Sequence, residues 1–360
     1  MHAFLRRDTL PQVSGWDYAV PTMFEGVPAA LRPPVALALA KAVESIPRED
    51  ALPGGSVYEM KFDGFRAVCL VGSDEVWLYS RQSKDLSWYF PDVLAAAAGQ
   101  IPPGSVVDGE LVVWSDDRLD FDALQLRMVT ARAALPALVR ERPASFVGFD
   151  VLAVAGQDTR GLPFADRRAL LEELARSWVP PLNLSPATRD RAVAETWFKE
   201  MPATGVEGLL IKPGSQAYEP RRIWLKVKSR DVLDVVCAAV IGPMSQPRAV
   251  VVGLPMRGRL RIVGRSAPLS AGAGRNLARY LRPPRGENPW PDEISERVLD
   301  RFTRESGPVR LTLVEPVVVE VSADVAWSGR AFRHSVRLVR IRPELDPGGV
   351  KLPPRLKDER

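Results

Sequence analysis

Short apolar runs with period-two alternation recur along this chain, broken by glycine and proline. Val57–Phe62 and Phe65–Val71 are both apolar enough to be strands, and Asp63-Gly64 between them predicts a tight hairpin-like corner. Ser105–Trp114 repeats that strand–turn–strand form around Asp108-Gly109. Ser145–Val154, Val206–Lys212 and Arg222–Val227 read as further strands. Helical spacing marks Pro91–Ala98, which has its proline in the first turn. Phe121–Arg127 and Asp166–Ser177 are the other helix candidates, the second with apolar positions at Leu170, Leu171 and Leu174. Before Leu31 the periodicity is weak, so residues 1–30 are expected to form an N-terminal extension without fixed structure, with Met23 as an alternative start. The paired prolines in Leu31–Val35 fix extended backbone and open the ordered region.

The texture changes near Ser229–Asp234. Beyond it lie short alternating strands at Val235–Ile241, Ala249–Leu254, Arg259–Val263, Pro316–Val321 and Ser335–Ile341, with a helix candidate at Gly274–Leu281. Five short strands and one helix suit an OB-fold barrel, although alternation alone suits another small barrel equally. The expected architecture is therefore α+β: a larger mixed domain over residues 31–230, a small barrel over 231–346 and a tail over 347–360.

At 360 residues with 46% hydrophobic content, the chain can bury the cores of two domains. No apolar run is long enough to span a bilayer, and the first residues lack the apolar core of a secretion signal. Cys69 and Cys237 each lie in an apolar run, so buried free thiols in a reducing cytoplasm are expected. His2 and His334 are the only histidines, which excludes a His-rich metal site and a histidine general base. Net charge is +5, but residues 231–360 hold 22 Lys+Arg against 15 Asp+Glu, whereas residues 1–230 hold 27 against 29. A C-terminal half that is basic, and basic mainly through arginine, fits sequence-independent binding to nucleic-acid phosphates.

The sharpest chemical signal is residues 59–66, Glu-Met-Lys-Phe-Asp-Gly-Phe-Arg. A lysine held in a cleft becomes a nucleophile when burial and nearby cations depress its pKa. A lone lysine at a strand end is usually a solvated surface group. Five fixed positions, at about one in twenty each, make that explanation fail for all but roughly one in ten thousand chains of this length.

The octet resembles motif I of the covalent nucleotidyltransferases, which include ATP-dependent DNA ligases, RNA ligases and mRNA capping enzymes. Further stretches match that superfamily in order. Ser80-Arg81 follows a strand where the family places an arginine on the nucleotide ribose, and Asp108-Gly-Glu-Leu111 resembles motif III. Ser145–Leu152 resembles motif IIIa, with Phe149 to stack on adenine. Glu207–Lys212 resembles motif IV, and Trp224–Lys228 resembles motif V with Lys226 and Lys228 on one face. The stretch Asp120–Arg127 is similar to a DNA-ligase segment and equally to an ordinary amphipathic helix. Taken singly, each of these is commonplace; their order is what distinguishes them.

The resemblance covers residues 31–346 and is nearest to the small bacterial C-type ATP-dependent DNA ligases of end-joining and excision repair. Arg32-Pro-Pro-Val35, the helix at 121–127 and Phe332–Arg337 carry that finer likeness. It implies a minimal two-domain enzyme, an adenylation (nucleotidyltransferase) domain followed by an OB-fold domain, that seals nicks through a lysine-AMP intermediate. The implied nucleophile is Lys61, and Glu59, Arg66, Arg81, Glu110, Phe149, Lys226 and Lys228 would bind ATP. Glu207 and Glu110 would hold Mg²⁺ or Mn²⁺. Nicked double-stranded DNA is the implied partner of a monomer located with the nucleoid, alongside end-joining or repair proteins. The alternatives are an RNA ligase, a capping-type guanylyltransferase or a decayed DNA-binding paralogue. One departure stands out: the family's last motif ends in a lysine, but here Arg340-Ile-Arg-Pro-Glu-Leu345 has leucine there, leaving Arg340 or Arg342 to substitute.

Overall fold

The computed structural model describes residues 24–300, 307–324, 327–353 and 356. Its larger part is built on two sheets. The first orders Leu39–Ala42, Arg222–Lys228, Gly208–Pro213, Ser56–Lys61 and Ala187–Thr188. The second orders Val76–Ser80, Phe65–Val71, Ser105–Ser115, Ala144–Val154 and Gln157–Asp158. Asp63-Gly64 is therefore not a hairpin: the strands on either side of it belong to different sheets, and the corner carries the chain across from one to the other. A side chain at Gly64 would collide with the Leu111 carbonyl oxygen, so the crossing needs glycine. Asp108-Gly109 is not a turn either. Ser105–Ser115 runs through it as one strand, with a register shift against Ala144–Val154, because both edges are paired.

Helices Pro91–Gln100, Phe121–Val129 and Phe164–Ala175 occupy the expected places. Arg191–Glu200 was not foreseen, although Asp190 caps it by accepting from Ala192 and Val193 N–H groups at 2.7 and 3.3 Å. Its apolar face packs on the first sheet beside Tyr58, Leu209 and Ile211. The expected N-terminal extension is too long: Phe24 packs on Trp77 with ring centres 4.5 Å apart, and Val27 and Leu31 are buried in the same cluster. Residues 1–23 lie outside the described residues.

The smaller domain is a five-stranded barrel in the order Arg259–Arg265, Ala249–Met256, Arg230–Ile241, Thr312–Asp324 and Arg337–Ile341. A parallel bridge from Ser266 to Val336 joins its two outer strands, which is the closure of an OB fold. The expected C-terminal tail is partly core: Val350, Leu352 and Leu356 are buried among the barrel's valines. Cys69 and Cys237 are buried free thiols. Among the described residues no helix is long and apolar enough to cross a membrane.

A wholly buried ionic network bridges the two sheets. Arg167 donates to both carboxylate oxygens of Asp150 at 2.8 and 3.1 Å, and Lys212 Nζ lies 3.9 Å from the same group. Replacing one partner strands the opposite charges in a low-dielectric core. Asp150→Ala is expected to lower the stability of this domain by about 3–5 kcal/mol. Urea unfolding followed by tryptophan fluorescence measures this, and an unchanged midpoint would refute it.

Candidate active site

Register sets the first row of the site. Gly208 pairs with Lys61 on one side and Lys228 on the other, so the two lysines flank a residue that has no side chain. Gly208 has φ +145°, and a Cβ there would strike the Val227 carbonyl. The residue before it, Glu207, reaches both cations: its carboxylate is in direct contact with Lys61 Nζ, and Lys228 Nζ lies 3.6 Å away. Two strands away from the seam, Glu110 pairs in register with Arg66.

A cavity of about 910 Å³ opens between the two sheets at this row, lined by Lys61, Arg66, Arg81, Glu110, Phe149 and Lys226 among others. Arg66 is fixed by a fork onto Asp108, at 3.0 and 2.6 Å, and by the Tyr218 hydroxyl at 3.2 Å. Its guanidinium lies 5.6 Å from the Phe149 ring centre and 5.0 Å from that of Trp224, so aromatic faces and a carboxylate set its plane together. Phe149 meets Trp224 edge-on with centres 6.1 Å apart. Beneath them, Lys212 donates to the Phe149 carbonyl at 2.6 Å and pairs with Glu59 at 2.8 Å. Glu59 is fully buried in this layer, and does not line the cavity.

The barrel closes over the same row. Arg333 pairs with Asp63 and lies with its guanidinium carbon 3.2 Å from the Phe121 ring centre. Lys228 also pairs with Asp324 of the barrel at 2.8 Å, and His334 Nε2 lies 3.9 Å from Glu207. Arg340 and Arg342 do not enter the cavity. They pair with Glu320 at 2.8 and 3.1 Å, within the barrel. The basic group that the barrel brings to the site is Arg333, which lies within the segment Phe332–Arg337.

Electrostatics correct one expectation. Burial works to lower the Lys61 pKa, but Glu207, Glu110 and Asp63 more than reverse it and raise it. The depressed lysine is Lys226, through burial and the neighbouring Lys61 and Lys228 cations. Burial pushes the Glu110 carboxyl up to about 8, against the pull of Lys61 and Arg66. Burial pushes Glu207 the same way, but Lys61, Lys228 and Arg333 hold it down at about 2. The site is thus a crowd of carboxylates and cations whose protonation is set mutually.

The helix Phe121–Val129 has the buried face of an ordinary amphipathic helix. Phe121, Ala123 and Leu124 are core, and Arg127 is buried in a fork onto Asp92 at 2.8 Å. Asp120 caps it by accepting from Ala123 N–H at 2.9 Å. Asp122 instead faces the barrel.

Known proteins resemble this chain. A family model described as the ATP dependent DNA ligase domain matches residues 37–228. DNA ligase C of Mycobacterium tuberculosis is 35% identical over 336 residues, covering 88% of this chain and 92% of that protein. DNA ligase C2 of Mycolicibacterium smegmatis is 41% identical over 207 residues, 57% of each chain. Among solved structures, a Lig E DNA ligase is similar in fold with a TM-score of 0.52 at 17% identity, covering 85% of this chain and 99% of that one.

Proposed function

Because the chain belongs to the ATP-dependent DNA ligases, we propose that Lys61 is the group that carries AMP from ATP to DNA. The observation that carries this is one row of side chains: Lys61 at the mouth of the cavity, with Glu207, Lys228 and Lys226 around it. The Lys61 amine must shed a proton to solvent before its lone pair can attack the α-phosphorus; the ion pair with Glu207 opposes that loss, and the Lys226 and Lys228 cations beside it favour it. The new bond joins Lys61 Nζ to phosphorus; the bond that breaks is to the bridging oxygen, which leaves with pyrophosphate. A DNA 5′-phosphate oxygen then displaces the lysine, and the 3′-hydroxyl displaces AMP to seal the nick. Arg66 and Phe149, held in one stack, bind the nucleoside end, and Lys226 and Lys228 offset charge that builds on the phosphate.

A divalent cation fits the donor chemistry. Glu110 and Glu207 offer hard oxygens, and burial, which raises the Glu110 pKa against the pull of Lys61 and Arg66, leaves that carboxyl short of positive charge. Among the described residues no three carboxylate, histidine or cysteine ligands converge, and Mg²⁺ needs only one or two carboxylates when it shares substrate phosphates and waters. Bound there, it would neutralise charge on the transferring phosphate.

The deciding test incubates the protein with labelled ATP or GTP and then with nicked DNA or RNA. An acid-labile AMP adduct and sealed DNA are expected. An adduct formed with GTP alone, or sealing of RNA alone, would favour the capping or RNA-ligase reading instead.

The barrel supplies the basic surface. Arg259 and Arg261 are exposed on the barrel hairpin formed with Ala249–Met256, in the half of the chain with the positive excess. With both replaced by glutamine, the log–log salt dependence of nick affinity should become shallower by about two. An unchanged slope would remove this hairpin from the DNA interface.

A further inference from the structure

The barrel meets the larger domain at a second place, outside the residues that line the cavity. Ser328 Oγ donates to Asp122 Oδ1 at 2.8 Å, and Gly329 N–H donates to Oδ2 at 2.7 Å. Both donors lie on a small hairpin, Trp327–Ser328 with Ala331–Phe332, whose rings stack 4.3 Å apart and are buried in the barrel core. Asp122 is equally rigid, since its helix is capped by Asp120 and locked by the buried Arg127–Asp92 fork. Two fixed elements thus meet through one carboxylate that accepts two hydrogen bonds. Arg333 follows the hairpin directly, and Phe121, against which it lies, precedes Asp122.

We propose that Asp122 is a positioning residue for adenylation: by receiving the Ser328–Gly329 turn it sets Arg333 over Asp63 beside the nucleophile. The proposal rests on the ligase reading given above and adds a step-specific role to it. Hydrogen bonds to a charged acceptor are short and directional, so the pair fixes the barrel's angle as well as its distance. The same contact has to break for sealing. With the turn docked, Arg333 and His334 cover the Lys61–Glu207 row, and a duplex cannot bring its 5′-phosphate to that row until they leave. Asp122 therefore favours one of two barrel positions and should act on one half-reaction alone. Asp122 does not line the nucleotide cavity, which separates docking from ATP affinity.

The experiment measures two rates on the full chain: formation of the labelled AMP adduct from ATP, and sealing of a synthetic 5′-adenylated nick without ATP. Asp122→Ala should slow adduct formation about tenfold, the scale of losing hydrogen bonds to a charged group, while sealing stays within about twofold. Asp122→Asn and Ser328→Ala should each give an intermediate loss in adduct formation, and the apparent KM for ATP should not move. Equal loss in both rates would mean a general structural role and would overturn the proposal, as would normal rates in both. A wild-type protein that forms no adduct would instead overturn the reading on which the proposal rests.

Discussion

Lys61→Ala should form no covalent adenylate at all, while keeping its fold. The side chain is about a quarter exposed at the cavity mouth, so its truncation opens no sealed void. Its loss removes one of the charges that compensate Glu207, but Lys228 and Arg333 remain beside that carboxylate. Lys61→Arg should fail as fully as alanine. A guanidinium stays protonated near neutral pH and has no lone pair to attack phosphorus. The measurement is labelled AMP retained on the denatured protein, together with a thermal melt. An adduct on either variant would place the nucleophile elsewhere. Sealing of a pre-adenylated nick should survive, because that step needs no lysine-bound AMP.

Arg333→Ala should reduce adduct formation by about a hundredfold, the scale of losing one preorganised charge at a developing anion. In the structure Arg333 is the barrel's contribution to the Lys61 row, and it is among the cations that hold Glu207 near 2. Without it, Asp63 and Glu207 face each other with less compensation, and the barrel loses a principal reason to close. Arg333→Lys should recover part of the rate: it keeps the charge but lacks the plane that lies on Phe121. ATP should still bind, since Arg66 and Phe149 are untouched. Adduct formation at the wild-type rate in Arg333→Ala would remove it from the site and return attention to Arg340 and Arg342.

Much of this site was legible as ordered short motifs, because a strand brings residues to a cleft at fixed spacing. Lys61, Arg66, Glu110, Phe149 and Lys226 all reach one cavity across strands that were foreseen. What was not legible depended on long-range pairing. Nothing local distinguishes Asp63-Gly64 as a crossing between sheets from a hairpin, since both need glycine in a tight corner. Nothing local marks Lys212 as a lysine whose amine Phe149, Phe164 and Trp224 surround, with ring centres 4.6–4.8 Å away. The sign of the Lys61 shift was missed for the same reason. The sequence shows the cations nearby in motif V, but not that Glu207, just before the strand that separates them from Lys61, makes the closest contact. Arg333 lay in plain view with a family likeness and no role, because its partner is 270 residues away.

The crossing at Asp63-Gly64 makes the length of the octet matter as well as its composition. Lys61 ends a strand of one sheet and Arg66 stands near the start of a strand in the other, so three residues set the phase between two independent pleats. Each sheet is held in register by its own neighbours and cannot slide to absorb a change. One residue added or lost between Phe62 and Gly64 would turn Arg66 away from the Asp108 fork, or Lys61 away from Glu207, because successive side chains on a strand face opposite ways. Substitutions in this corner can be graded in their effect; insertions and deletions there should behave as all-or-none lesions, which makes the corner a natural ruler for telling a working copy of this enzyme from a broken one.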